Sequence, residues 1–259
     1  MTAGSASVQV HAVVSGRAEG PAIVLSNSLG STHRMWDEQV AALEERFRVV
    51  RYDTRGHGLS PVPQGPYTID ELADDVVALL DRLDIDRAHL VGLSLGGMTM
   101  MRVAARNPER VDRLALLCTA AYLPPREAWL DRATIVRANS TAAVAESVVQ
   151  RWFTPEFLAA HDAARRSCES MVASTSAEGY ASCCEAIAEM DLRGGLPAIS
   201  APTLAVAGAD DPATPPAMLA EIADTVPDGR LLVVPDAAHL APAQQPRIVN
   251  PALIEHLES

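Results

Sequence analysis

At 259 residues and 48% hydrophobic content, the chain has apolar material for one large mixed domain or two small ones. Its formal net charge of −12 argues against a nucleic-acid surface, which needs a basic patch, but not against a small anionic substrate, because one local arginine overrules the global field. No apolar run approaches the roughly 20 residues that span a bilayer. No basic segment followed by an apolar run opens the chain, so no signal peptide is expected. Cys118, Cys168, Cys183 and Cys184 have no metal-ligand spacing, and the adjacent pair is a poor disulfide, so free thiols in a reducing cytoplasm are expected.

In chain order, residues 8–14 alternate weakly, as an edge strand does. Residues 22–25 are a continuous apolar run, consistent with a strand buried on both faces. A small-polar loop, Ser26-Asn27-Ser28-Leu29-Gly30-Ser31, follows. A helix is predicted over 37–45 and a strand over 48–52. Thr68 and Glu71 form a capping box. It opens a helix whose Ile69, Leu72, Val76, Leu80 and Leu83 recur at helical spacing. Residues 89–93 read as a strand, 98–105 as a helix and 114–118 as another strand.

Alternating strands and helices predict a mostly parallel sheet covered on both faces. The pattern then breaks. Residues 122–190 contain no convincing strand, and helices are expected over 142–152 and 155–164. Alternation resumes with a strand at 203–207, a helix at 216–225 and a strand at 230–234. Asn250 and Pro251 read as the cap and first position of a terminal helix. The expected organisation is an α/β core of residues 1–121 and 191–259, with a helical cap, or lid, inserted at 122–190.

The chemistry centres on Gly92-Leu93-Ser94-Leu95-Gly96. A serine between two glycines, after a strand and before a helix, is the pattern of a nucleophile elbow. A serine hydroxyl needs a base, and the base needs an orienting acid. In this architecture they follow in the order serine, acid, histidine. Asp211, three residues past Gly208 at a strand end, is preferred as the acid over Asp210. His239, after the last strand, is the base. The N–H of Leu95 is one expected oxyanion donor, and Leu29 in the loop after residue 25 is the candidate for the other. Trp129, Trp152 and Phe153 read equally as a lid over the site or as the insertion's own core. Arg137 and Arg165 are candidates for holding a substrate carboxylate, against the plainer reading of surface charges. His57, in Arg55-Gly56-His57-Gly58, reads as part of a turn shaped by two glycines, with Asp53 and Arg55 pairing locally.

The elbow, the acid-bearing segment from Gly208 to Pro215, and Ala237-Ala238-His239 resemble the α/β-hydrolase superfamily along essentially the whole chain. Leu25-Ser26-Asn27-Ser28-Leu29-Gly30 with Met35-Trp36, and Arg51-Tyr52-Asp53-Thr54-Arg55-Gly56-His57-Gly58 with Gly65-Pro66-Tyr67-Thr68, resemble the narrower group of 3-oxoadipate enol-lactonases. Arg151-Trp152-Phe153-Thr154 and Gly179-Tyr180 fit the same group. Most of the superfamily carries His-Gly where this chain has Asn27-Ser28. Gln244-Gln245 stands where an acidic residue often follows the histidine. The resemblance implies lactone opening through a serine acyl-enzyme in bacterial aromatic-acid breakdown. It implies a small-molecule lactone and water as partners, no metal or cofactor, and Leu29 as an oxyanion donor. It leaves the oligomeric state open.

Overall fold

In the computed structural model, which describes residues 7–259, the first half alternates as its patterning predicts. Strand β1 (Ala12–Gly16) leads to β2 (Ala22–Ser26), helix α1 (Asp37–Glu44), β3 (Arg48–Tyr52), α2 (Ile69–Arg82), β4 (Ala88–Leu93), α3 (Leu95–Arg106) and β5 (Val111–Leu117). Five helices follow: α4 (Arg126–Asn139), α5 (Ala142–Trp152), α6 (Pro155–Ala160), α7 (Asp162–Ala173) and α8 (Ala177–Glu189). The alternation resumes with β6 (Thr203–Gly208), α9 (Pro216–Thr225) and β7 (Gly229–Val234), and closes on α10 (Ala241–Gln244) and α11 (Pro246–Glu258). Among the described residues, no helix is long and apolar enough to cross a membrane.

The strands lie in the order β1-β3-β2-β4-β5-β6-β7. Only β1 runs against its neighbour; every other pairing is parallel. All residues of β4 and β6 are buried, as near-continuous apolar strands covered by helices on both faces must be. Helix α2 has its capping box, and Ile69, Leu72, Val76, Leu79 and Leu80 are buried on one face. Each such side chain contributes about 1.5–3 kcal/mol by leaving water. Because the strands are parallel, the loops leaving β2, β4, β6 and β7 gather along one rim of the sheet, where open α/β folds bind ligands.

Three boundaries differ from the sequence reading. The edge strand starts later than residue 8, because that segment is held by α2: Val8 N–H donates to Asp75 Oδ1 (2.7 Å), and Arg82 donates to Val10 O (2.8 Å). The helix expected over 155–164 is two helices, broken at His161, whose φ of −128° and ψ of 56° are not helical. The terminal helix begins at Pro246, with Pro251 inside it, so Asn250 is not its cap. Asn250 instead ties α11 to α1, donating to Glu38 O (2.9 Å) and accepting from Gln39 Nε2 (2.8 Å).

The five-helix segment is seated on the core through backbone. Gly56, in the loop after β3, and Gly179, in α8, approach so closely that a Cβ on Gly179 would lie 2.2 Å from Gly56 O. Only glycine at both positions permits the contact.

Candidate active site

Strand β4 delivers Ser94 to the rim in a backbone conformation that L-residues rarely adopt, with φ 57° and ψ −118°. The turn is possible because a Cβ on Gly92 would meet Gly96 O at 2.3 Å, and one on Gly96 would meet Ser26 O at 2.2 Å. Neighbours hold it. Ser94 N–H donates to Leu117 O (3.0 Å), and the hydroxyl of Thr119, two residues past β5, donates to Ser94 O (2.7 Å). Strain of this kind costs on the order of 1–3 kcal/mol and persists only where its surroundings over-determine it.

Asp211 and His239 meet as the sequence predicts. His239 Nδ1–H donates to Asp211 Oδ2 at 2.7 Å, and both residues are buried. That bond fixes the tautomer, leaving Nε2 with the lone pair a base requires. The other oxygen of Asp211 accepts from the N–H groups of Ala213 (2.8 Å) and Thr214 (3.1 Å), and the Thr214 hydroxyl donates to Oδ2 (2.7 Å). Burial alone would raise the carboxyl's pKa; the His239 ring and these donors outweigh it and hold the group below its ordinary value. Asp210 is exposed. Thr214 was not singled out in the sequence, although a threonine three residues after an aspartate is a recognisable turn signal.

The two expected oxyanion donors share a pattern. Among the described residues, neither Leu29 N–H nor Leu95 N–H donates to a loop, turn or side-chain acceptor, while the amides flanking them are engaged. Ser28 N–H points at Met35 Sδ (3.2 Å), Gly30 N–H donates to His57 Nε2 (2.9 Å), and Gly96 N–H donates to Asn27 O (2.9 Å). The last bond ties the start of α3 to the loop after β2. Asn27 also donates to Tyr52 O (2.6 Å) and accepts from Trp36 Nε1 (3.0 Å), which uses both ends of its amide.

Ser94, His239, Ser28 and Leu29 line a cavity of about 260 Å³ roofed by the five-helix segment. Trp129 and Trp152 line it too; Arg137 does not. Arg137 is exposed and pairs with Glu178 (2.9 Å) and Glu185 on α8. Arg165 pairs with Asp162 and Glu169 along its own helix. The cavity's cations are Arg132 and Arg151, which the sequence reading did not select. Among the described residues neither pairs with a carboxylate. Arg132 stacks over the Trp129 ring at 4.7 Å, and burial, followed by the repulsion of Arg132, lowers the Arg151 pKa.

The loop of His239 is tied to the insertion by Gln244, one of the two residues at the expected acidic position. Its amide nitrogen donates to Thr154 Oγ1 (2.7 Å), and its oxygen accepts from Ala238 N–H (3.2 Å). Leu240 N–H donates to Trp152 O (2.7 Å) across the same seam. The turn around His57 also differs from expectation. Arg55 makes a buried two-bonded pair with Asp75 on α2 (2.6 and 2.7 Å), not with Asp53. Asp53 accepts from the His33 N–H, the His33 ring and Leu59 N–H.

Residues 21–246 match the family described as the alpha/beta hydrolase fold. The chain belongs to this family. Within the alpha/beta hydrolases it is 41% identical to 3-oxoadipate enol-lactonase 2 of Acinetobacter baylyi, over 92% of this chain and 89% of that one. The crystal structure of the enol-lactonase from Burkholderia xenovorans superposes with a TM-score of 0.94 at 40% identity, covering 96% of both chains. A malate-bound thermophilic esterase from Thermogutta terrifontis superposes at 0.93 with 30% identity, covering 99% of this chain and 96% of the other.

Proposed function

We propose that this alpha/beta hydrolase opens 3-oxoadipate enol-lactone to 3-oxoadipate through a serine acyl-enzyme, as a step in bacterial aromatic-acid breakdown. The observation that carries the reading is one cavity lined both by Ser94 and His239 and by two arginines that have no carboxylate partner among the described residues. Hydrolytic machinery facing unpaired cations suits an ester that carries its own carboxylate. The likeness to enol-lactonases supports the same reading, as does a relative that holds a dicarboxylate.

Ser94 Oγ attacks the lactone carbonyl as His239 Nε2 takes its proton. Asp211 stabilises the resulting imidazolium. The Leu29 and Leu95 amides receive the oxyanion. Collapse breaks the ring C–O bond as the His239 imidazolium hands its proton to the departing oxygen, which leaves as an enol still tethered to the acyl carbon. Tautomerisation to the ketone turns the oxygen that would re-close the ring into a carbonyl oxygen. His239, neutral again, then takes a proton from water as the water oxygen attacks the acyl carbon, and returns that proton to Ser94 Oγ as the acyl C–O bond breaks. No step calls for a metal or cofactor. Arg132 and Arg151 hold the substrate's carboxylate against the Trp129 and Trp152 walls, and residues 122–190 act as a cap on the core formed by 1–121 and 191–259. Four free cysteines support a reducing, cytoplasmic setting.

The test is a comparison of purified enzyme on the enol-lactone and on simple p-nitrophenyl esters. The expected result is a higher kcat/KM on the carboxylated lactone. A preference for uncharged esters would reduce the assignment to a general serine esterase.

A further inference from the structure

His57 carries a duty that neither its motif nor the triad explains. It is fully buried, and both ring nitrogens have partners. Nδ1 lies 3.2 Å from Arg55 O, and Nε2 lies 2.9 Å from the Gly30 nitrogen. A carbonyl only accepts and a backbone N–H only donates. The tautomer follows: Nδ1 carries the proton and Nε2 offers its lone pair. The ring is therefore neutral, and burial lowers its pKa in the same sense.

The atom it holds matters. The Gly30 N–H belongs to the peptide immediately after Leu29. Fixing that peptide sets the Leu29 backbone, and through it the direction of the Leu29 N–H. The far side of Gly30 is closed by Tyr180, whose ring would lie 2.9 Å from a Cβ at that position. His57 itself sits in a braced turn. Arg55 is clamped by Asp75, and Gly56 is pressed against Gly179 of α8. The imidazole is thus a rigid strut from a fixed turn to the loop after β2.

We propose that His57 is a positioning residue for hydrolysis: by accepting the Gly30 N–H it aims the Leu29 amide at the oxyanion. The proposal rests on the reading that Leu29 N–H is an oxyanion donor. His57 touches no reacting atom, so its effect belongs in the transition state and not in ground-state binding.

Three variants of the full chain test it. An Asn amide reaches about as far as Nδ1 and a Gln amide about as far as Nε2. His57→Gln keeps an acceptor for Gly30; His57→Asn and His57→Leu do not. The measurements are kcat and KM on the enol-lactone and on p-nitrophenyl acetate, and affinities for 3-oxoadipate and for an alkylboronic acid that forms a tetrahedral adduct on Ser94. His57→Asn and His57→Leu are expected to lose roughly 10- to 100-fold in kcat on both substrates, less than the roughly 10²–10³ for deleting a donor outright. Boronate affinity should fall in parallel, while KM and product affinity stay within about threefold. His57→Gln should recover most of the loss. If His57→Leu does not fold, the Asn and Gln pair decides. Variants that melt earlier yet keep wild-type kcat and boronate affinity would overturn the proposal, leaving a structural histidine. Wild-type turnover of the ester but not the lactone would overturn the substrate assignment alone, and the His57 comparison would stand on the ester.

Discussion

The rim of the sheet and the helices above it hold the polar groups around the cavity differently. At the rim Asp211 accepts from three backbone or hydroxyl donors besides His239, and Asn27 uses both ends of its amide. In the overlying helices, Arg132 and Arg151 face the same cavity with no carboxylate partner among the described residues. On the proposed function, groups that must not move during reaction are fixed by the protein, whereas groups that recognise the substrate are left for the substrate to satisfy. On that reading chemistry and selectivity are assigned to different layers.

Three perturbations probe that division, and a fourth lies outside it. Ser94→Ala should lose at least ~10³-fold in kcat with no loss of melting temperature, since only the rim's reactive atom is removed. Near-wild-type turnover would end the serine mechanism. Arg132→Met with Arg151→Met should lower kcat/KM on the carboxylated lactone by ~10²-fold, mostly through KM, because charge-assisted hydrogen bonds are about twice as strong as neutral ones. Activity on p-nitrophenyl acetate should be nearly unaffected, and so should KM for the lactone in the control pair Arg137→Met and Arg165→Met. Equal losses on both substrates would erase the distinction between layers. Gly179→Ala overpacks the seam between them and should cost ~1–3 kcal/mol, read as a lower melting temperature. The smallest effect is on pH dependence, far from both layers. His256 is buried, with Nε2 3.0 Å from Leu114 O and Nδ1 3.3 Å from Arg230, and burial lowers its pKa to about 4. The unfolded chain therefore takes up the proton first, at the ordinary 6.5. This contribution to stability is complete above pH 6.5 and is lost as pH falls through that value towards about 4. His256→Gln should flatten the decline in melting temperature over that window.

The legibility of the sequence follows the same line. Parallel strands announce themselves as apolar runs, and strand ends mark where an elbow, an acid and a histidine belong, so the elbow at Ser94 and the Asp211–His239 pair were legible as structure. Leu29 and Leu95 could be named as candidate donors, because an oxyanion hole asks only for a backbone position, and their role belongs to the proposed mechanism. Selection among the insertion's arginines depends on which face of a helix each occupies relative to a partner not yet placed. Arg132 and Arg137 share α4 but lie about 140° apart around it, at about 100° per residue. One faces the cavity and the other α8. His57 was passed over for a related reason: its partner, Gly30, is a glycine N–H 27 positions away, which no local pattern marks.

The meeting of Gly56 and Gly179 has a consequence for engineering. Backbone touching backbone leaves no side chain to trim or repack, so the fit between the inserted helices and the core is not negotiable at that point. Grafting another hydrolase's helices over this sheet should give folded protein only where the donor segment brings a glycine into register with Gly56. The two residues thus act as a compatibility key, and a library of grafted segments filtered on that key should yield folded hybrids far more often than one that ignores it.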